Sequence, residues 1–205
     1  MQITLDNIGR RFNREWIFRG ISYTFNNQDS YAVLGANGSG KSTLLQVLNG
    51  SLAPSAGKLS YSLQGQNIEP ENIFTYLSLA APYLELIEEF TLNEVIDFHF
   101  KFKNFKSGLD KAALTEVLNL QGSQNKMIRY FSSGMKQRLK LALAFCADTP
   151  MLMLDEPTSN LDNQGIDWYL NLVEKYSAGR LTIICSHQEH EYSFCKHHLN
   201  IADYK

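Results

Sequence analysis

An α/β fold is predicted: a mixed-sheet core, an N-terminal antiparallel β subdomain and an inserted helical subdomain. Three observations predict it. Short apolar runs at 31–34, 151–154 and 181–185 read as buried strands of an open α/β sheet. Alternating runs at 2–8, 21–25 and 58–63 read as half-buried strands, the first two pairing antiparallel. From Pro82 to about Tyr130 the pattern becomes helical, in YLELIEEF, TLNEVIDFHFKF and LDKAALTEVLNL. With 205 residues, 44% of them hydrophobic, the chain has ample core material for one domain. Its expected division is 1–81 and 150–205 for the core with the β subdomain, and 82–149 for the helical subdomain.

In chain order, the two N-terminal strands feed the strand Tyr31-Ala32-Val33-Leu34. Between them lie Phe12 and Trp16, either of which offers a ring to stack on a base or to cover the small sheet. After Leu34 comes Gly35-Ala36-Asn37-Gly38-Ser39-Gly40-Lys41-Ser42-Thr43, then the apolar helical run Leu44, Leu45, Val47, Leu48 stopped by Gly50. Strand, G-x-x-x-x-G-K-S loop and helix together make a phosphate-binding loop, hence a P-loop NTPase core. Loop amides and the helix N-terminus present partial positive charge to an anion. Lys41 is expected on the β- and γ-phosphates and the Ser42 hydroxyl on Mg²⁺.

Lys58–Leu63 and Ile73–Leu79 read as further strands. Thr91 and Glu94 have the spacing of a capping box that opens a helix. The HFKFKNFK run at 99–106 reads as a helix end, lysines near the dipole's C-terminus and phenylalanines on the core face, rather than a single-strand nucleic-acid surface. Phe131–Met135 opens a long amphipathic helix that ends before Pro150. Met151–Leu154 runs straight into Asp155-Glu156. Two carboxylates at the tip of a buried strand belong where strand ends face a ligand, because unpaired burial is expensive. Asp155 fits a Mg²⁺-holding residue and Glu156 a general base. Thr158–Asp162 caps the next helix, to about Tyr176, and Ser186-His187 ends the strand 181–185.

Charge and composition exclude several classes. Nineteen basic against 21 acidic residues give a net charge of −2, so no basic field recruits nucleic acid. Cys146, Cys185 and Cys195 form no CxxC pair and read as reduced thiols of a cytosolic protein. The histidines and cysteine of the tail lack zinc-ligand spacing. No apolar run approaches the ~18 residues that cross a bilayer, and the N-terminus reads as a strand rather than a signal peptide.

Together these motifs resemble the ATP-binding cassette family, and the likeness spans essentially the whole chain. The loop at 35–43 resembles its Walker A, MLMLDEP its Walker B with the catalytic glutamate, and FSSGMKQR its signature. Ser159-Asn160-Leu161-Asp162 resembles the D-loop and Ser186-His187 the switch-histidine loop. The resemblance implies an ATPase that is the motor of a membrane transporter, with ATP and Mg²⁺ as ligands. Two copies would close head-to-tail, Lys41, Ser42, Asp155, Glu156 and His187 of one facing Ser132, Ser133, Gly134 and Met135 of the other. It assigns Glu156 and His187 to hydrolysis, Phe12 to adenine stacking with Trp16 as runner-up, and Ser42 and Asp155 to the metal. Integral membrane permease subunits would be the partners, placing the chain on the cytoplasmic face without inserting into the bilayer itself. The signature departs at Ser133 and Met135. The family's Q-loop glutamine is absent from Ala80-Ala81-Pro82, leaving water or Glu85 as its substitute. A soluble ATPase in translation or DNA repair is the alternative, but no charged linker to a second cassette and no long coiled coil is present. A degenerate, non-hydrolysing module is the third, and Glu156 and His187 argue against it.

Overall fold

The structure, a computed structural model, describes all 205 residues. They form two sheets and two compact units. The first unit comprises 1–77, 150–156 and 179–205, the second 78–149 and 157–178. The helical unit thus also takes in 78–81 and the helix at 163–176, beyond the expected 82–149.

In the first unit, β1 (Gln2–Phe12) and β2 (Glu15–Phe25) form a long antiparallel hairpin. Residues 10–16, which lie between the strands expected at 2–8 and 21–25, continue it. Phe12 pairs with Glu15, and Asn13 takes the positive φ (54°) that a two-residue hairpin turn needs. With β4 (Ala56–Leu63) and β5 (Gln66–Ile68), the hairpin makes a sheet of order β2-β1-β4-β5. The second sheet has the order β6-β7-β8-β3-β9, where β3 is Ser30–Leu34, β6 Leu77–Ala80, β7 Met151–Asp155, β8 Leu181–Ser186 and β9 His197–Asn200. Parallel pairing of β7 with β8 and of β8 with β3 brings Asp155 beside Cys185 and Leu34 beside Ser186, so three strand ends meet at one edge. These strands are buried on both faces, which is why their sequences are apolar without alternation. Helix α1 (Lys41–Leu48) follows β3, with Leu44, Leu45, Val47 and Leu48 all buried.

The second unit packs α2 (Leu92–His99), α3 (Lys111–Leu118), α4 (Ser133–Cys146) and α5 (Asn163–Tyr176). Its core joins Leu92, Ile96, Leu114, Leu118, Leu139 and Leu143, among others. The capping box is formed: Thr91 Oγ1 accepts from Glu94 N–H and the Glu94 carboxylate accepts from Thr91 N–H at 2.7 Å.

Three expected elements differ. YLELIEEF at 83–90 is not helical, because its backbone groups bond across the chain: Phe90 O accepts from Ile128 N–H and Glu88 O from Arg129 N–H. The expected strand 73–79 is a 3₁₀ turn over 70–75, opened by Pro70, followed by the shorter β6. At the end of α2 and just beyond it the phenylalanines divide. Phe100 and Phe105 stack on each other against the core, whereas Phe98 and Phe102 are 42% and 71% exposed.

Candidate functional site

Gly40 sets the shape of the loop between β3 and α1. It is the N-cap of α1 at φ 104°, and a Cβ there would lie 2.5 Å from Ile17 Cγ2, so no other residue fits without displacement. The first turn of α1 leaves backbone N–H groups without intrahelical acceptors, the kind of end that holds an oxyanion. Ser39 Oγ is buried there without a partner, another donor suited to an anion. Lys41 is 5% exposed; its Nζ donates to Gly35 O at 2.9 Å and Ala36 O at 3.3 Å.

Glu156 lies 3.3 Å from the same Nζ and 3.0 Å from His187 Nδ1. Lys41, Glu156 and His187, spread over 146 residues of sequence, therefore converge, each brought by the end of a neighbouring strand or the loop after one. Glu156 has φ 42°, a left-handed conformation that costs a side-chain-bearing residue energy. Its N–H donates to Cys185 O at 2.8 Å, prolonging the β7–β8 ladder into this strained position. That strain holds the carboxylate towards Lys41 and His187.

Asp155 is 1% exposed, and its Oδ1 is buried without a hydrogen-bond partner. Burial pushes its carboxyl up to about 6; the hydrogen bond with Ser42 pulls the other way, and the Glu156 charge adds to the rise. A buried, unsatisfied carboxylate oxygen, a serine hydroxyl and a second carboxylate beside a single lysine make an oxygen-rich set that suits a hard divalent cation.

The two aromatics are resolved by register. Trp16 pairs with Arg11 and Phe12 with Glu15, so adjacent pairs place the two rings on opposite faces. Trp16 covers Gly9, with the Arg11 guanidinium 5.5 Å above its ring. Phe12 shares its face with Ile17, the residue against Gly40, and has Arg10 4.6 Å above one side of its ring. At 46% exposure it is the ring on the loop side of the hairpin.

The second unit carries the other expected motifs in a separate cleft of about 340 Å³, lined by Ser132, Ser133, Gly134, Met135, Arg138, Asn160, Leu161 and Asp162. Ser132 is the N-cap of α4, its Oγ accepting from Met135 N–H at 3.2 Å, which leaves its own proton to donate. A Cβ on Gly134 would come 3.0 Å from Asn160 O, a tight contact that the carbonyl must yield to, whereas Ser133 is exposed and its side chain is accommodated. Met135 turns towards the helical core. Asp162 caps α5 through Gly165 N–H at 2.8 Å, Leu161 N–H bonds Thr158 O, and Asn160 is left-handed at φ 64°. Ser159 Oγ is buried without a partner.

At the departure from the Q-loop, Ala80 and Ala81 are fully buried and the Ala81 and Pro82 carbonyls accept from Lys140 Nζ. Glu85 is exposed. Two residues escaped the sequence reading. Gln137 is 2% exposed and donates to Pro157 O at 2.8 Å; a lone amide among the leucines and alanines of α4 was the available signal. Glu191, fully buried, meets the Ser186 hydroxyl next to His187, and no periodicity marks it.

Comparison with known proteins agrees with this geometry. The family model for ABC transporters matches residues 18–159. The chain is 30% identical over 194 residues to the cytochrome c biogenesis ATP-binding export protein CcmA of Agrobacterium fabrum, covering 92% of this chain and 90% of that protein. It is 28% identical to the ABC transporter ATP-binding protein YybJ of Bacillus subtilis, over 92% and 87% of the two chains. The fold matches the ATP-binding subunit of an ABC transporter with a TM-score of 0.81 at 22% identity, over 98% of this chain and 86% of that one. A dimeric bacterial ABC transporter cassette matches with the same TM-score at 18% identity, over 97% and 94%. Because both the family model and a relative matched over nearly its full length point the same way, the chain belongs to the ABC transporter family and is an ATPase of that family.

Proposed function

We propose that this chain is the ATP-hydrolysing subunit of a membrane transporter, and that two copies close around ATP to power it. The observation that carries the reading is the convergence of Lys41 and His187 on the strained Glu156 carboxylate. In the working state the triphosphate lies along 35–43, in the amides of the loop and the N-terminus of α1, with adenine against Phe12. Lys41 leaves the Gly35 and Ala36 carbonyls for the β- and γ-phosphates, and His187 takes the γ-phosphate in place of Glu156. Glu156, released from both, accepts the hydrogen bond of the attacking water and takes up its proton. Ser42 and Asp155 would hold Mg²⁺, which when bound neutralises phosphate charge. Most of the acceleration then comes from positioning and from preformed dipoles.

The second copy supplies Ser132, Ser133 and Gly134. The proton that Ser132 retains and the open N-terminus of α4 suit a γ-phosphate approached from outside. Asn160, Leu161 and Asp162 line the same cleft, and in this reading the 159–162 turn meets the partner there. Met135 contributes packing rather than a polar contact.

Transport is supported by the named export role of CcmA among the relatives, and no helix is long and apolar enough to cross a membrane. In this reading, membrane-embedded permease subunits bind the chain on the cytoplasmic face. The helical unit has an apolar groove for them, with Leu86, Ile87, Phe90, Phe98 and Phe102 along it. Purification of the tagged chain from detergent-solubilised membranes is expected to bring down an integral membrane protein. Recovery with ribosomes or DNA instead would overturn the transport reading. Calorimetry with ATP and magnesium should give a binding heat; its absence would overturn nucleotide binding at this site.

A further inference from the structure

A second layer of residues lies beneath the exposed histidine. Strand β8 ends at Ser186; the chain then passes through His187 and Gln188 into the short helix α6 (Glu189–Tyr192). Ser186 and Glu191 are both 0% exposed. A carboxylate withdrawn from water at this depth needs partners. Ser186 O–H donates to Glu191 Oε2, and Ser186 Oγ accepts from Gln188 N–H at 2.8 Å. Glu191 N–H donates to Gln188 O at 3.0 Å. Ser186 is thus tied directly to the buried carboxylate, and Gln188 to it through the Ser186 hydroxyl, while the His187 ring, 45% exposed, meets Glu156 at 3.0 Å.

We propose that Glu191 is the positioning residue for His187, acting through the Ser186 hydroxyl to fix the 186–188 turn and with it the imidazole. This rests on the reading of His187 as a contact of the γ-phosphate. Glu191 does not itself touch the substrate. It keeps an otherwise solvent-exposed ring from sampling rotamers and backbone conformations that miss the reacting group, an effect that appears in turnover rather than in binding.

The test is steady-state ATP hydrolysis and nucleotide affinity of the intact chain in five forms: wild type, Glu191→Ala, Glu191→Gln, His187→Ala and the Glu191→Ala/His187→Ala double variant. Glu191→Ala should lower kcat by about tenfold or more while the nucleotide Kd stays within about twofold. Glu191→Gln, whose amide oxygen still accepts from Ser186, should restore kcat to within about threefold of wild type. The double variant should be no slower than His187→Ala alone, because a residue acting through another has nothing left to position. Wild-type kcat in Glu191→Ala, or a further loss in the double variant, overturns the proposal. If Glu191→Ala does not fold, Ser186→Ala carries the same expectation and wild-type kcat there overturns it. Wild-type kcat in His187→Ala would instead remove the functional reading of that histidine. Slow His187→Ala beside a fully active Glu191→Ala removes this inference alone.

Discussion

Lys41 and Asp155 in the first unit are 5% and 1% exposed, and Glu156 is clasped by Lys41 and His187. In the second unit Ser132 and Ser133 stand exposed at the open end of α4, over a cleft with a single ion-pair contact, Arg138 to Asp162 at 4.0 Å. In the first site Glu156 is balanced by Lys41 and His187 while Asp155 keeps an unsatisfied oxygen; in the second, exposed hydroxyls stand at a helix N-terminus and Asp162 faces Arg138. The proposed nucleotide pocket and the face proposed to meet a partner's pocket differ in this way. The pocket needs buried charge, and buried charge must be balanced within the fold until a ligand replaces the balancing group. The complementary face needs only aligned donors, which solvent satisfies in the meantime.

Variants in the first unit should show the largest effects. Glu156→Gln keeps the shape but removes the proton acceptor, so hydrolysis should slow by about 10²- to 10⁴-fold with ATP still bound. Turnover at the wild-type rate would end the assignment of Glu156 and most of the contrast. Lys41→Ala deletes charge-assisted bonds worth roughly 1.5–3 kcal/mol each, so ATP affinity measured by calorimetry should fall about 10- to 150-fold. Unchanged affinity would mean that the 35–43 loop is not the phosphate site.

The second unit is expected to respond to pH and to truncation more gently. Burial pushes the His99 imidazole down to about 4, with the Lys103 charge adding to it, and its Nε2 is buried without a partner. The unfolded chain, with a histidine near its ordinary 6.5, then binds the extra proton as pH falls. Stability from the neutral ring is therefore complete above pH ~6.5 and is lost towards pH ~4, at about 1.4 kcal/mol per pH unit. Urea unfolding at pH 7 and pH 5 should show this loss, and His99→Leu should flatten it; an equal pH slope in both proteins would refute the cause. Smallest is Ser132→Ala, which removes the α4 cap and should cost about 1 kcal/mol of stability. It should slow hydrolysis without changing the ATP affinity of a single chain. A large affinity loss would place Ser132 in the chain's own pocket and erase the comparison.

Much of this site was legible because its chemistry depends on local spacing. Strand, G-x-x-x-x-G-K-S and helix act as one unit, and the Asp155-Glu156 pair at the end of an apolar strand has few uses in a core. Residue type alone did not divide Phe12 from Trp16, because the face each ring reaches depends on which residues pair across the hairpin. The 83–90 segment has helical periodicity, yet carbonyls of Glu88 and Phe90 are taken by the backbone at 128–129, a pairing across some 40 residues that no local pattern encodes. The exposed Phe98 and Phe102 escaped for a similar reason: helical spacing distributes residues over a face but does not identify which face finds a partner.

By itself, the sequence determined the buried strands beside the phosphate loop, that loop, the capped helices and the residue types available for chemistry. These depend on neighbours a few positions away, through φ/ψ preference and the alternation of polar and apolar side chains. Tertiary structure alone decided that Lys41, Glu156 and His187 share one carboxylate, that Asp155 keeps an unsatisfied oxygen, and that Glu191 lies buried under the histidine turn. Those relations span strands far apart in sequence, and burial in a low-dielectric sheet edge turns ordinary side chains into interdependent ones.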